Sequence, residues 1–477
     1  MSPPHDDTMT AVGGHRRVPA PDGLAHDYIL LALRLDQHVP GLVDGYYGPA
    51  ELKARADIEE LQSPRRLVDD AEHLLERVAV EAVELDRREW LTAQVVALRT
   101  HAEALAGQHL PYLDHVSRCF EWTPQRRDPA RFDDAAAEVS ALLPGPGSVT
   151  DRLAAWDDRF VIPADRLAGV LAWLVERFRR RSADLFGLPE GEDLRIRFVT
   201  RQPWTGYNWY DGGRRSRFDL NTDLPVRAAE LIHVAAHETY PGHHLEHATK
   251  EGELVEGRRR LEASVLLINT PECLISEGLA DLGHRFASPP EDEADLLLEL
   301  YERACLPIGA DPVAARDAAR TTVALAGPRR RLSESRVNAA LMLHVDGVGR
   351  DDVLAWLVDV GRFSPDVATK RLEFLEHPLW RTYVFVYHEG EALLRRWLEI
   401  VPEPERAARF GRLLREQLTP GAVAAELTIA APVAQVGMTC DAIRADGAPI
   451  ALFQMPTSAQ TDPERRTSTT RSSPGPS

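Results

Sequence analysis

The stretch from His233 to His247 constrains the fold of this chain more than any other, because it places a helix breaker inside a histidine cluster. Its sequence is His-Val-Ala-Ala-His-Glu-Thr-Tyr-Pro-Gly-His-His-Leu-Glu-His. Five of the 17 histidines of the chain lie in these fifteen residues, far more than an even distribution would place there. Pro241 lacks an amide hydrogen and crowds the preceding turn, so a helix that carries His237 must end or bulge there. The histidines on either side of Pro241 therefore cannot share one straight helix.

A histidine followed directly by a glutamate, with more histidines close by, is typical of zinc hydrolases. Neutral imidazoles are good zinc ligands, and a glutamate next to the first ligand is free to take a proton from metal-bound water. In this chain the pair is His237-Glu238. We therefore interpret His237 as a first metal ligand and Glu238 as a candidate general base.

The second ligand has to come from beyond the proline. In the common His-Glu-x-x-His pattern the second histidine stands four residues after the first, but Pro241 occupies that position here. His243 and His244 stand six and seven residues after His237. On a straight helix the first of them would point away, and the second would lie about 10 Å along the axis. A kink at Pro241-Gly242 is therefore required, and we favour His243, directly after the glycine, with His244 as the alternative.

A catalytic zinc ion commonly has three protein ligands, and the stretch that begins at Thr270 supplies a candidate for the third. Thr270 is a good N-cap and Pro271 a good first helical residue for a helix that we predict over 271–286. Glu277 and Asp281 then share one face of that helix. This spacing suits one carboxylate that binds the metal and a second that accepts a hydrogen bond from a metal-bound imidazole. The sequence therefore predicts Glu277 as a ligand and Asp281 as the residue that orients a ligand histidine.

The run His-Glu-x-x-Pro-Gly-His-His, followed by a Glu-Gly-x-Ala helix, resembles the bacterial "domain of unknown function 885" family. That family is grouped with the gluzincin-type zinc metallopeptidases, and the resemblance extends from about residue 24 to about residue 418. It implies His237, His243 and Glu277 as metal ligands and Glu238 as the general base. The Gly-His-x-Leu order also resembles other gluzincins and favours His243 over His244. Glu246 stands where many members have glutamine, at a position outside the implied ligand set.

A second pattern of the same family is Tyr-x-x-Gly, which falls on Tyr387 and Gly390. Zinc peptidases commonly place a tyrosine or histidine opposite the metal, where its hydrogen bond stabilises the negative charge that develops on the carbonyl oxygen. Tyr387 is our candidate for this role, and a packing tyrosine is the alternative. Tyr383 and His388 are weaker candidates. Arg381 could hold a substrate carboxylate, although an ordinary salt bridge is the simpler interpretation.

Composition narrows the classes of function. The net charge of −18 argues against nucleic acid or an anionic membrane as partner, since both select for basic faces. No stretch approaches the roughly 18 apolar residues of a membrane span, and the first 23 residues lack the apolar run of a signal peptide, so we predict a cytoplasmic protein. The four cysteines lie far apart, which predicts neither a disulfide framework nor a cysteine-based zinc site. Abundant arginine and scarce lysine fit a high-GC bacterial coding sequence.

Helix signals dominate the rest of the chain, so the predicted fold class is mainly α. Apolar residues at helical spacing predict helices over 24–39, 65–82, 84–106, 132–143, 164–186, 351–360 and 365–374. Alternating runs predict short strands at 194–200 and 216–222, with a loop at 206–215 between them. These strands precede a metal helix predicted over 225–247. A zincin-type peptidase needs such strands, because its substrate lies extended along a sheet edge beside the metal.

The predicted organisation follows from these elements. It consists of a disordered tail at 1–23, an N-terminal helical region at 24–190, a zincin-like catalytic region at 191–445 and a second disordered tail at 456–477. We expect a zincin-like metallopeptidase core with a small β-sheet and a large helical surround that encloses a cleft.

The function predicted from these residues is that of a zinc-dependent hydrolase, and most specifically a metallopeptidase that uses Glu238 as general base. One zinc ion per chain is expected, although two imidazoles and a carboxylate also suit manganese or cobalt. The expected partner is a peptide or a small amide substrate, and the sequence carries no signal for an oligomeric state. Two alternatives stay open. One is a metal-dependent amidohydrolase of a non-peptide small molecule, and the other is a catalytically inactive helical metal-binding protein.

Overall fold

The computed structural model describes residues 22–202 and 204–434, and the fold is mainly helical with two small sheets, as predicted. The α-helices are α1 (Gly23–Asp36), α2 (Ala50–Ile58), α3 (Pro64–Glu81), α4 (Leu85–Leu105), α5 (Tyr112–Phe120), α6 (Ala130–Leu142), α7 (Val149–Asp157), α8 (Ala164–Phe186), α9 (Ala228–Glu238), α10 (His243–Lys250), α11 (Pro271–Ala287), α12 (Glu293–Arg303), α13 (Pro312–Ser333), α14 (Ser335–His344), α15 (Arg350–Asp359), α16 (Pro365–Glu376), α17 (Glu391–Glu399), α18 (Glu403–Arg415) and α19 (Pro420–Ala434). Short 3-10 turns occupy Asp158–Phe160, Leu261–Ser264 and Pro307–Ala310, and π-helical turns occupy Glu251–Gly257 and Val386–Gly390.

The helix ends follow the signals in the sequence. Each helix predicted from apolar spacing is present, with its ends displaced by at most three residues. In α3, for example, the Ser63 hydroxyl accepts a hydrogen bond from the Arg66 amide at 3.3 Å, and Pro64 is the first helical residue. Such caps satisfy amide groups that have no partner inside the helix.

Two small sheets carry the strands β1 (Val43–Tyr46), β2 (Asp193–Val199), β3 (Gly206–Gly212), β4 (Arg215–Asn221) and β5 (Val265–Leu267). Strands β1 and β5 pair antiparallel. The other sheet has the order β2-β4-β3, with β2 parallel and β3 antiparallel to β4. The predicted strands correspond to β2 and β4, but the predicted loop at 206–215 was wrong. Its aromatic residues pair as strand β3, whose glycines at both ends resemble loop signals.

The structure divides the predicted metal helix at 225–247 into two helices. The first begins at Ala228 rather than at Pro225, because the preceding segment is held extended. The Val226 carbonyl oxygen accepts a hydrogen bond from the Ile162 amide at 2.9 Å. The second helix, α10, begins at His243. Downstream, α11 spans Pro271–Ala287, starting directly after Thr270.

One hydrophobic core joins the N-terminal helices to the helices that carry the histidines. Tyr28 of α1 packs edge-on against Trp90 of α4, with 5.7 Å between the ring centroids. The Trp90 indole donates a hydrogen bond to Glu272 Oε2 of α11 at 2.7 Å. A smaller core forms between α6 and α13, around Phe132 and Leu325. The predicted boundary between residues 190 and 191 stays a prediction.

The predicted tails lie outside the described residues, apart from the last two positions of 1–23. In residues 22–202 and 204–434, no helix is both long enough and apolar enough to span a membrane. The cytoplasmic location stays a prediction.

Candidate metal centre

The interruption between α9 and α10 turns the chain so that His237 and His243 face each other. Their Nε2 atoms are 3.1 Å apart. Gly242 is required in this turn, because a Cβ atom at that position would lie 1.9 Å from the carbonyl oxygen of His237. The break therefore brings together two histidines that a straight helix would keep apart.

Glu277 of α11 reaches the same point from the opposite side. Its Oε2 lies 3.5 Å from His237 Nε2, and its Oε1 lies 3.6 Å from His243 Nε2. Each of the three residues offers a ligand atom within 4.8 Å of the others. The structure thus brings together the three residues that the sequence singles out as ligands.

Asp281 lies on the far side of His237, one turn after Glu277. Its Oδ1 is 3.0 Å from His237 Nδ1, so a proton on Nδ1 leaves the lone pair of Nε2 directed at His243. Burial alone would raise the pKa of Asp281, but hydrogen bonds with His233 and His237 hold it well below its usual range. The ionised carboxylate fixes the orientation of the His237 ring. His233 Nε2 is 3.4 Å from the same oxygen.

Glu238 is buried next to His237 and lines a cavity that the three grouped residues also line. Burial raises the pKa of Glu238, although the charges of His237 and His243 oppose that change whenever those rings are protonated. Its backbone carbonyl accepts a hydrogen bond from Asn208 Nδ2 at 2.8 Å, which ties the end of α9 to β3. A carboxyl group in this position can accept and release a proton inside the cavity.

His244 points away from this group and belongs to a separate buried polar network. Its Nε2 lies 3.0 Å from Glu192 Oε2, and its Nδ1 lies 2.8 Å from Ser216 Oγ. Both ring nitrogens therefore have protein partners. Of the two candidates for the second ligand, His243 faces His237 and His244 does not, and the assignment of the ligand stays a prediction.

Two tyrosines from the segment before α17 approach the group. The Tyr383 hydroxyl donates a hydrogen bond to Glu277 Oε1 at 2.8 Å. Tyr387 lines the same cavity, and its ring stands edge-on to that of Tyr383 with 5.4 Å between centroids. Burial, with a contribution from the negative charge of Glu277, raises the pKa of both tyrosines well above its usual value. Both hydroxyls are therefore protonated donors. The sequence favours Tyr387 over Tyr383 as the candidate hydrogen-bond donor, since only Tyr387 matches Tyr-x-x-Gly.

The cavity has two further walls. Strand β3, at the edge of its sheet, contributes Gly206, Tyr207 and Asn208. Helices α14 and α16 contribute Arg336 and Arg371. No sequence pattern distinguishes these two arginines, because arginine is common throughout the chain.

The chemistry of the grouped residues fits a metal ion. Glu277 Oε2 is buried and makes no hydrogen bond within the described residues. Two imidazole nitrogens and this oxygen form a three-ligand set of the type found in catalytic zinc sites, with one side left to the cavity. The described residues therefore contain a group of histidine and glutamate side chains able to hold a metal.

Another buried cluster, formed by His101, His115 and Cys119, is a poor metal site. Burial, together with His101, Arg381 and Arg118, lowers the pKa of His115 to about 3. Burial raises the pKa of Cys119 to about 12, whereas a metal needs the thiolate. The neighbouring cations oppose the arrival of another positive charge.

Neither a protein family model nor a curated protein sequence matches the chain. Several solved structures, among them two proteins described as lipoproteins and a carboxypeptidase, share weak similarity with it. A protein described as a lipoprotein from Colwellia psychrerythraea is 14% identical, with a TM-score of 0.44 over 77% of this chain and 67% of that one. A protein described as a lipoprotein of unknown function from Shewanella oneidensis is 11% identical, with a TM-score of 0.45 over 84% of this chain and 82% of that one. The M32 carboxypeptidase from Deinococcus radiodurans R1 is 12% identical, with a TM-score of 0.38 over 90% of this chain and 96% of that one. These values are too low to transfer the role of any residue.

Proposed function

We propose that this chain is a zinc-dependent hydrolase, and most specifically a metallopeptidase related to the "domain of unknown function 885" family. The observation that carries the proposal is the convergence of His237, His243 and Glu277 beside Glu238 in one cavity. A ligand set of two histidines and a glutamate, with a free glutamate next to the first ligand, is the arrangement of catalytic zinc sites in peptidases.

His237, His243 and Glu277 would hold the ion. When bound, zinc supplies Lewis acidity to a substrate carbonyl and makes water more acidic. Asp281 keeps His237 in the orientation in which Nε2 faces the other ligands. The Tyr383 hydroxyl holds Glu277 by its hydrogen bond to Oε1, so each of these two ligands has a partner that fixes it.

Glu238 would move the proton. It takes a proton from the attacking water and passes it to the nitrogen of the leaving amine, which converts a poor leaving group into a neutral one. Tyr387 would donate a hydrogen bond to the carbonyl oxygen as negative charge develops on it. Both side chains line the same cavity, which is the geometric condition for these roles.

A peptide suits the cavity because β3 is one of its walls. This strand ends its sheet in the order β2-β4-β3, and an extended peptide can add to a sheet edge through main-chain hydrogen bonds. The Asn208 amide fixes the Glu238 backbone to the same strand. A substrate paired with β3 would therefore pass directly beside the proposed base.

The test is the hydrolysis of a mixed peptide pool, followed by mass spectrometry, by zinc-loaded wild type and by Glu238→Gln. We expect cleavage by the wild type and its loss in the variant, while zinc content stays at one ion per chain. Bound zinc without peptide cleavage, but with hydrolysis of small non-peptide amides, would indicate the amidohydrolase. Bound zinc with neither activity would indicate an inactive metal-binding protein.

A further inference from the structure

Two buried arginines lie in the wall of the cavity that contains the proposed ligands. Arg336 belongs to α14 and Arg371 to α16, and their exposed fractions are 7% and 8%. Removing a guanidinium from water costs free energy, which is normally offset by a carboxylate or by a full set of acceptors. Among residues 22–202 and 204–434, the hydrogen-bond partners of Arg336 do not include such a carboxylate.

Within the described part of the chain, Arg336 contacts only uncharged acceptors. Its Nε donates to the Ser333 carbonyl oxygen at 3.1 Å, and its Nη2 lies 2.8 Å from His388 Nε2. Burial, reinforced by the charge of Arg336 and of neighbouring arginines, lowers the pKa of His388 well below its usual value. The imidazole is therefore neutral and accepts the hydrogen bond. It orients Arg336 without neutralising it.

Neighbouring arginines, the buried Arg330 and the partly buried Arg127, have carboxylate partners. Arg330 forms an ion pair with Glu391, and Arg127 Nη2 lies 2.8 Å from Glu389 Oε1. The same region of the protein thus supplies carboxylates to arginines that do not line this cavity. Arg336, which does line it, is held by neutral groups, and this difference points to a carboxylate that arrives from outside.

Arg336 lies close enough to Arg371 for its charge to act on that guanidinium. Burial lowers the pKa of Arg336 to about 10. Burial and the charge of Arg336 together lower that of Arg371 to about 9. Both groups remain charged at neutral pH, and an anion bound between them would be attracted by both charges. Both also line a second cavity, so they lie where the two cavities adjoin.

We propose that Arg336 and Arg371 bind a carboxylate of the substrate, so that the substrates are peptides or amides that carry a carboxylate on one side of the scissile bond. The substrate class rests on the proposed function, whereas the carboxylate site itself does not. The planar fork of an arginine suits two parallel hydrogen bonds to a carboxylate. Both the C-terminal carboxylate of a peptide and the side chain of an internal aspartate or glutamate have this chemistry. Arg381, the arginine considered from sequence, lies instead with its guanidinium 5.9 Å from the centre of the Tyr112 ring.

The first experiment measures binding rather than turnover. Zinc-loaded Glu238→Gln is titrated in a calorimeter with three N-acetylated tripeptides. The first has a free C-terminal carboxylate, and the second is the corresponding C-terminal amide, which is neutral. The third is also a C-terminal amide but carries an internal glutamate. We expect one of the two acids to bind at least about tenfold more tightly than the neutral amide, as charged hydrogen bonds predict. Preference for the free C terminus would identify an exopeptidase, and preference for the internal glutamate an enzyme for acidic sequences. Equal binding of all three ligands would overturn the proposal.

Arginine variants separate this site from a carboxylate that binds to zinc. In the same Glu238→Gln background, Arg336→Gln and Arg371→Gln should each abolish the preference for the acid. Arg329→Gln should keep it, because Arg329 lines the second cavity but not the first, and pairs with Asp157 at 2.6 Å. The preference should also survive removal of zinc. A preference that persists in both arginine variants, or that disappears with the metal alone, would contradict the proposal.

Turnover by enzyme with an intact Glu238 then completes the test. Arg371→Gln should raise KM for the acid more than it lowers kcat, with no change for the amide. If Arg336→Gln fails to fold, Arg371→Gln and the comparison of ligands in protein with both arginines intact still decide the question. Binding that prefers acids, without any hydrolysis, would leave the carboxylate site standing and reject the peptidase. Hydrolysis of acids and amides at equal rates would leave the peptidase standing and reject the carboxylate site.

Discussion

Gly278 and Gly390 meet backbone to backbone, and this contact sets the distance between the helix that carries Glu277 and the turn that carries Tyr387. A Cβ atom at Gly278 would lie 2.5 Å from the carbonyl carbon of Gly390, and one at Gly390 would lie 2.3 Å from the Leu274 carbonyl oxygen. Neither position has room for a side chain. The two glycines that complete the Glu-Gly and Tyr-x-x-Gly patterns therefore have one physical role, the close packing of α11 against the π-helical turn.

The first prediction tests this packing. Gly278→Ala should lower the free energy of unfolding by about 1–3 kcal/mol, the usual cost of overpacking, and should weaken metal binding by displacing Glu277. Gly283→Ala is the matched control, because it lies on the same helix and its Cβ would meet Pro241 and Gly242 only at 3.4–3.5 Å. Thermal unfolding and zinc titration of both variants provide the measurement. Equal effects of the two substitutions would show that the Gly278–Gly390 contact has no special role.

A second prediction concerns the ligand set. Purified wild type should contain about one zinc ion per chain by mass spectrometry, as expected for a three-ligand site, and His237→Ala, His243→Ala and Glu277→Ala should each lose it. His244→Gln should keep the metal, since His244 contacts Glu192 and Ser216 instead. Glutamine retains a donor for Glu192 and so limits the structural damage. A wild type that stays metal-free after zinc is added and the excess removed would reject the proposed function.

Asp281 should contribute through His237. Asp281→Asn keeps the shape of the side chain but removes the charge that holds His237 Nδ1 at 3.0 Å. We expect zinc affinity to fall by about 10–100-fold, the usual effect of removing such a partner. Competition with a chromogenic chelator measures the change, and Asp295→Asn, at an exposed position on α12, should leave affinity unchanged. Unaltered affinity in Asp281→Asn would limit this residue to a packing role.

Substitutions of the two tyrosines should change different quantities: zinc affinity for Tyr383 and kcat for Tyr387. Tyr383→Phe removes the hydrogen bond to Glu277 Oε1 and should weaken zinc binding. Tyr387→Phe should leave zinc binding unchanged and lower kcat by about 100-fold, the usual cost of losing one donor to the developing negative charge. Steady-state kinetics at saturating zinc, with zinc titration of the same samples, distinguish the two. If only Tyr383→Phe lowered kcat under these conditions, the catalytic role would pass to Tyr383.

The sequence predicts the helices and the shared helix faces that depend on local patterns. It predicts less well the strands and site residues that depend on packing between distant parts of the chain. Apolar spacing located α3 and α8, and the four-residue separation of Glu277 and Asp281 predicted their shared face. The sequence of β3 predicts a loop, because its glycines are loop signals and its pairing with β4 is a tertiary contact. The choice between His243 and His244 likewise depended on the turn at Gly242. Tyr383, Arg336 and Arg371 come from separate helices or turns, so only the folded chain brings them to the cavity.

Glu192 provides the final prediction, because it stabilises the protein in a way that depends on pH. Burial alone would raise its pKa, but hydrogen bonds from His244, Tyr240 and Arg179 hold the pKa of Glu192 at about 2. A carboxyl group with a lowered pKa in the folded state stabilises the protein above its unfolded pKa and loses that contribution as the pH falls toward the folded value. From the usual value of 4.5, the contribution at pH 7 is on the order of 3 kcal/mol.

Glu192→Gln should therefore be less stable than wild type at pH 7, and the difference should shrink as the pH falls from about 4.5 toward 2. Urea unfolding at pH 7 and at pH 3.5 measures it. Glu190→Gln carries the same change of charge at an exposed position two residues away, and its stability should follow that of wild type at both values. A difference for Glu192→Gln that stays constant with pH would mean that shape and hydrogen bonding, rather than the ionised carboxylate, hold His244 in place.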